Sequence, residues 1–132
     1  MDRPILLIED NEQNRYLLTF LLEQHGYSVL SASDGVGGIE AARVSLPSLI
    51  LLDIQLPMMD GYAVARALRK NLALRDTPIV AVTSYAMSGD REKALESGCT
   101  GYIEKPINPA TFVAEIELAL AQAQARPARN DL

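Results

Sequence analysis

Three acidic residues stand directly after or at the end of apolar runs, and their positions suggest a shared site. Asp53 ends the run Leu49–Asp53, and Glu9 and Asp10 follow the run Ile5–Ile8. If these runs are strands of one sheet, each acid lies at a strand end, held by a rigid element and still accessible to solvent. Clustered carboxylates repel one another unless something positive lies between them. The pattern therefore points to a divalent cation and to phosphate chemistry.

Two more residues with suitable chemistry occupy similar places in the second half of the chain. Thr83 ends the run Ile79–Thr83, and Lys105 follows the run Gly101–Glu104. A carboxylate can attack a phosphoryl group and form an aspartyl phosphate. The transfer needs its phosphoryl oxygens neutralised by Mg²⁺, a lysine and hydrogen-bond donors, and Mg²⁺ itself prefers about six oxygen ligands. The residue types thus fit Mg²⁺-dependent phosphoryl transfer to an aspartate.

Composition limits the class of protein. The 132 residues fit one domain, and 48% hydrophobic with 22% charged residues argues against disorder. A net charge of −5 argues against a direct nucleic-acid surface, which requires a basic stripe. The single cysteine, Cys99, excludes an internal disulfide and fits a reducing compartment. With no signal peptide and no apolar run near the roughly 20 residues that span a bilayer, we expect a cytoplasmic protein without a membrane segment.

Short apolar runs alternate with longer segments of helical spacing. The predicted strands are Ile5–Ile8, Ser28–Ala32, Leu49–Asp53, Ile79–Thr83 and Gly101–Glu104. The predicted helices run from about Glu12 to His25, from Asp34 to before Pro47, from Gly61 to about Leu72, from Ser88 to Gly98, and from Asn108 to about Ala125.

This alternation predicts an α/β fold with right-handed crossovers. The expected architecture is a flavodoxin-like, doubly wound (βα)5 domain with a five-stranded parallel sheet of order 2-1-3-4-5. Ligands of such sheets bind at the carboxyl ends of the strands, here at the switch between strands 1 and 3. We place the domain at residues 1–121 and interpret residues 122–132 as a frayed or disordered tail.

Four motifs resemble those of response-regulator receiver domains of bacterial two-component signalling, and the resemblance extends from Ile5 to about Leu120. The motifs are Ile8-Glu9-Asp10-Asn11, Leu52-Asp53-Ile54-Gln55-Leu56-Pro57-Met58-Met59-Asp60-Gly61, Val82-Thr83 and Tyr102-Ile103-Glu104-Lys105-Pro106. The resemblance implies that Asp53 is the phosphoacceptor. The donor would be a phosphohistidine on a sensor histidine kinase or a histidine phosphotransfer domain.

The resemblance also implies the ligands of the metal. Asp10 would bind Mg²⁺ directly and Glu9 through water. Asp53 and the backbone carbonyl of Gln55 would complete the protein ligands.

Further roles follow from the same resemblance. Lys105 would hold one phosphoryl oxygen, and the Thr83 hydroxyl would swing to bind another while the Tyr102 side chain turns inward. The bond between Lys105 and Pro106 would be cis. Gln55 and Tyr85 would tune how water reaches the acyl phosphate.

The leading interpretation is a single-domain regulator of the DivK or CheY type that catalyses only its own phosphorylation and dephosphorylation. It would act as a monomer or weak dimer and signal to a downstream protein by a change of surface. A relay intermediate or hybrid-kinase receiver is the alternative. Two other classes are disfavoured by their residues. An aspartate-based phosphatase would require an acid at the position of Gln55, and a flavin carrier would require a hydroxyl- and glycine-rich loop in place of Glu9–Glu12.

The first predicted helix is apolar on more than one face. In one interpretation, this helix packs between the sheet and the fifth helix. The other makes Tyr16, Leu18 and Leu22 part of a docking patch for a kinase, a phosphotransfer domain or a second copy, aided by Met58 and Met59.

Overall fold

The computed structural model describes residues 3–84 and 89–125. Its strands are β1 (Ile5–Ile8), β2 (Val29–Ala32), β3 (Leu49–Asp53), β4 (Ile79–Thr83) and β5 (Gly101–Glu104). Its helices are α1 (Glu12–Gln24), α2 (Gly35–Ser45), α3 (Gly61–Arg69), α4 (Asp90–Glu96) and α5 (Phe112–Ala125), with a short 3₁₀ turn at Leu72–Leu74. None of the helices in these ranges is long and apolar enough to cross a membrane.

The five strands form one parallel sheet of order β2-β1-β3-β4-β5, which confirms the predicted fold class and strand order. Ile8 lies level with Leu52, so the residues that follow them, Glu9 and Asp53, meet at the same rim of the sheet. Asp53 in turn lies level with Val82 of β4. The register therefore brings the carboxyl ends of β1, β3 and β4 together.

Helices cover both faces of the sheet. One face packs under α2, α3 and α4 through side chains that include Ile8, Leu52 and Val64. The other packs under α1 and α5 through Leu7, Leu51, Phe112 and other apolar side chains. Every residue of β1, β3 and β4 is buried, because strands covered on both faces cannot alternate between apolar and polar residues. These strands could be predicted from the sequence because their apolar runs are continuous.

Side-chain caps start the helices close to the rim. Asn11 Oδ1 accepts a hydrogen bond from the Asn14 N–H at 2.9 Å and starts α1, and Asp60 Oδ1 accepts one from the Ala63 N–H at 2.8 Å and starts α3. Glycine is required at position 61, where a Cβ would lie 2.5 Å from the Ile54 Cα. The caps keep the loops around Asp53 short and fixed.

Several helix boundaries differ from the predicted ones. The predicted fifth helix begins at Phe112 instead of Asn108, because the Asn108 side chain and carbonyl accept from the N–H groups of residues 110–112 and form a separate turn first. The predicted third helix ends at Arg69, since Asn71 caps the 3₁₀ turn that follows. Helix α5 includes the first residues of the predicted tail, while residues 126–132, like Tyr85 and Ser88, lie outside the described ranges.

Candidate functional site

Three carboxylates meet at the rim of the sheet. Glu9, Asp10 and Asp53 each offer an oxygen within 4.8 Å of the other two. Glu9 and Asp53 are 1% and 2% exposed, whereas Asp10 faces solvent. The acids that the sequence pattern placed at neighbouring strand ends therefore form a compact, partly buried group with one open side.

Lys105 lies between the two buried acids. Its Nζ is 3.3 Å from Glu9 Oε1 and 3.4 Å from Asp53 Oδ2. Three carboxylates against one ammonium leave a net charge of −2 when all four groups are ionised. Because buried charge is costly unless it is compensated, the site favours binding of a further cation.

Backbone groups hold the other carboxylate oxygens. Asp53 Oδ1 accepts from the Gln55 N–H at 2.9 Å, and Glu9 Oε2 accepts from the Asn11 N–H at 3.1 Å. Each buried carboxylate thus has one oxygen fixed by the chain and the other beside Lys105. Such fixed orientation suits a nucleophile, which must present a particular oxygen to its substrate.

Arg15 belongs to the site and was missed in the sequence. Its guanidinium donates to the carbonyl oxygens of Glu9 at 2.8 Å and Asp10 at 3.0 Å. Arg15 lies one helical turn after the cap Asn11, a spacing that points its side chain back over the strand end. That spacing could have indicated Arg15 in the sequence. Only the conformation of the loop after β1, however, shows that the carbonyl groups of Glu9 and Asp10 face α1.

The environment of Glu9 favours its protonated form. Burial, then a hydrogen bond with Asp53 and repulsion by the Asp53 charge, raise the pKa of Glu9 from 4.5 to about 7. The Asn11 N–H and Lys105 oppose this rise without cancelling it. The metal-free protein therefore binds a proton at Glu9 more tightly than the unfolded chain does.

This raised pKa predicts that metal-free protein loses stability as the pH rises from about 4.5 to about 7, since the unfolded chain releases the Glu9 proton first. A Glu9→Gln variant removes that loss. We expect it to exceed wild type in free energy of unfolding at pH 8 by on the order of 2 kcal/mol, and by much less at pH 5. Urea unfolding in EDTA measures the difference.

The matched control is Glu23→Gln, which changes an exposed acid on α1. It should leave the pH dependence of unfolding unchanged. A Glu9→Gln variant that is less stable than wild type at pH 8 would contradict the assigned pKa.

Thr83 and Tyr102 lie on the strands beyond Asp53. Thr83 is buried at the end of β4, and its carbonyl accepts from the Lys105 N–H at 2.8 Å. Tyr102 is half-buried on β5 and packs against the core beneath α2 and α3. The peptide bond between Lys105 and Pro106 is cis. The structure therefore places Thr83 and Lys105 at the same rim as Asp53, with Tyr102 on the strand that precedes the lysine.

Ser84 is a second contact that sequence reasoning missed. Gln55 Oε1 accepts from the Ser84 N–H at 3.1 Å and from the Ser84 hydroxyl at 2.8 Å. Gln55 and Ser84 are far apart in the chain, so no local sequence pattern indicates the contact. It links the loop after β3 to the loop after β4.

The docking patch suggested for the first helix is wrong in part. Leu18 and Leu22 are 1% and 0% exposed and belong to the core, because they face the sheet and α5. The exposed apolar residues of α1 are Tyr16 and Phe20, whose rings stack with centroids 6.3 Å apart. Met58 is fully exposed in the loop after Asp53.

Comparisons with known proteins agree with this geometry. Residues 5–117 match the family model of the response regulator receiver domain. The chain is similar to the polar-differentiation response regulator DivK of Brucella anthropi, with 39% identity over 93% of this chain and 100% of DivK.

Solved structures show the same fold. The chain is similar to the chemotaxis protein CheY4 of Vibrio cholerae, with a TM-score of 0.86 and 25% identity over 90% of this chain and 99% of CheY4. It is also similar to the receiver domain of the sensor histidine kinase PA1611 of Pseudomonas aeruginosa, with a TM-score of 0.83 and 33% identity over 92% of this chain and 99% of that one. The chain belongs to the response regulator receiver domain family.

Proposed function

We propose that Asp53 accepts a phosphoryl group from a phosphohistidine in a Mg²⁺-dependent reaction. One observation carries this proposal above the others: the buried Asp53 carboxylate has one oxygen fixed by the Gln55 N–H and the other beside Lys105, within a cluster of three acids. A carboxylate so oriented is a nucleophile held next to the charges that phosphoryl transfer requires.

The acidic cluster fits a magnesium ion. Its oxygens are the ligands that Mg²⁺ prefers, and its net negative charge favours a divalent cation. Asp10 and Asp53 would bind the ion directly, Glu9 through water, and Gln55 through its backbone carbonyl. When bound, Mg²⁺ supplies positive charge to the oxygens of the phosphoryl group. The similar receiver domain of PA1611 was solved with a magnesium ion coordinated in its active-site cleft.

The transfer exchanges one bond for another. An oxygen of Asp53 forms a bond to phosphorus while the bond from phosphorus to the donor imidazole nitrogen breaks. The imidazole leaves with the electron pair and takes up a proton. Lys105 holds one phosphoryl oxygen and Thr83 donates a hydrogen bond to another, so the charge on the phosphoryl group is shared among fixed groups.

The signal follows from the added charge. A phosphoryl group carries about −1.5 to −2 charges and replaces the single negative charge of the Asp53 carboxylate, so the rim becomes more negative by up to about one charge. Thr83 moves to meet it, Tyr102 turns inward, and the surface of α4, β5 and α5 changes for a downstream protein. The chain catalyses its own phosphorylation and dephosphorylation and converts no external metabolite.

We place the docking surface on the exposed apolar side chains of Tyr16 and Phe20 on α1 and of Met58 in the loop after Asp53. A sensor histidine kinase or a phosphotransfer domain would dock there, since its phosphohistidine must reach Asp53 from the open side. The acidic net charge gives no support for direct binding to nucleic acid.

Beryllofluoride, which mimics a phosphoryl group, tests this function. We expect beryllofluoride with Mg²⁺ to shift the backbone amide signals of Thr83, Tyr102 and α4 in wild-type protein. Neither component alone should do so, and the Asp53→Asn variant should not respond. Shifts of equal size in Asp53→Asn would place the phosphoryl site elsewhere, and no shifts in wild-type protein saturated with Mg²⁺ would contradict the switch.

A further inference from the structure

Contacts around Asp53 form a closed ring that joins β3, β4 and β5. Lys105 Nζ contacts Asp53, the Gln55 N–H donates to Asp53, and the Gln55 side chain accepts from Ser84. Ser84 is bonded covalently to Thr83, and the Thr83 carbonyl accepts from the Lys105 N–H. Each residue of the ring except Ser84 already has a proposed part in the reaction.

The link between Gln55 and Ser84 has only one possible orientation. A backbone N–H can donate but cannot accept, so the carboxamide atom that faces the Ser84 N–H must be the oxygen. The Ser84 hydroxyl donates to the same oxygen. Two donors from Ser84 thus hold the carboxamide oxygen of Gln55.

Gln55 is consequently held at both ends. Asp53 accepts from its backbone N–H at 2.9 Å, and Ser84 binds its side chain. The backbone carbonyl between these two anchors is the proposed metal ligand. On the other side of the link, Ser84 adjoins Thr83, whose hydroxyl must reach the phosphoryl group.

We propose that Ser84 is a positioning residue for phosphorylation of Asp53. Through the Gln55 carboxamide it fixes the loop that carries the metal-binding carbonyl relative to the strand end that carries Thr83. Ser84 touches neither the phosphoryl group nor the metal in this role. The inference rests on the proposed function and adds to it a residue that sets the rate of the reaction.

Ser84→Ala removes the hydroxyl donor and leaves the N–H donor in place. Because a single hydrogen bond of this kind contributes about 1 kcal/mol, we expect phosphorylation by acetyl phosphate at saturating Mg²⁺ to slow by about fivefold. Ser84→Thr keeps a hydroxyl and should restore the rate. In a Gln55→Leu background, Ser84→Ala should cause no further slowing, since the acceptor is already gone.

A purely structural role would not give this pattern. Ser84 is exposed, so Ser84→Ala should lower the unfolding midpoint only slightly, because water replaces the lost hydroxyl, whereas the side-chain NH₂ signals of Gln55 should shift. Ser31→Ala, at an exposed serine on β2, is the matched control and should change neither the rate nor those signals.

Two failures are distinguishable. If wild-type protein is phosphorylated on Asp53 but Ser84→Ala reacts at the same rate, or slows equally in the Gln55→Leu background, this inference is overturned and the proposed function stands. If neither acetyl phosphate nor a phosphohistidine donor phosphorylates wild-type protein, the proposed function is overturned and the role of Ser84 with it.

Discussion

The Asp53→Asn variant is expected to take up no phosphoryl group above background from acetyl phosphate or from a phosphohistidine donor. Asparagine keeps the shape of the side chain, and its carbonyl oxygen can still accept from the Gln55 N–H that now binds Asp53 Oδ1. Its carboxamide, however, carries no charge and is a far weaker nucleophile than a carboxylate. Phosphorylated protein separated by electrophoresis, together with intact mass, measures the loss.

Asp60→Asn is the matched control for this substitution. Asp60 lies in the same loop segment and caps α3 by accepting from the Ala63 N–H, a task that asparagine performs about as well. Its phosphorylation rate should equal that of wild type. If Asp53→Asn were phosphorylated at the wild-type rate, the acceptor would have to be another residue, which peptide mapping would identify.

Replacing Lys105 with methionine should slow phosphorylation by about 100-fold, a loss comparable to removal of one donor from a site that stabilises transition-state charge. The ammonium lies 3.3 Å from Glu9 and 3.4 Å from Asp53, so methionine leaves two buried carboxylates without it. Rates with acetyl phosphate at saturating Mg²⁺ measure the effect.

Two companion variants separate charge from geometry. Lys105→Arg keeps the positive charge on a wider, planar group and should recover part of the rate. Lys70→Met, at the exposed C-terminal cap of α3, should react as wild type does. A Lys105→Met rate within a few-fold of wild type would show that the ammonium serves packing or charge balance and has no part in the transfer.

Most of the fold could be predicted from the sequence because parallel strands that are buried on both faces consist of continuous apolar runs. Four of the five predicted strands have the observed bounds, and β2 begins one residue later than expected, at Val29. The predicted helix boundaries were wrong where an asparagine side chain caps a separate turn, as Asn108 does before α5 and Asn71 does after α3. Such choices depend on competition between local hydrogen bonds, which composition and periodicity do not resolve.

The exposed face of α1 could not be predicted, for a related reason. Leucines and aromatic residues occupy several faces of this helix, so its period does not say which face meets the sheet. Packing decides it: Leu18 and Leu22 fill the space under α5, and Tyr16 and Phe20 remain outside. The face offered to a partner is thus a result of tertiary structure.

The residues at the strand ends could be identified from the amino-acid sequence alone. With them came the available chemistry, which is the carboxylates of Glu9, Asp10 and Asp53 together with Thr83 and Lys105. This was possible because each residue ends or follows an apolar run, and the carboxyl ends of parallel strands lie at one rim of the sheet. The environment that raises the pKa of Glu9 arises only in the folded chain, and so do the support from Arg15 and the link between Gln55 and Ser84. These depend on distances between side chains far apart in the chain, and such distances exist only once the sheet has formed.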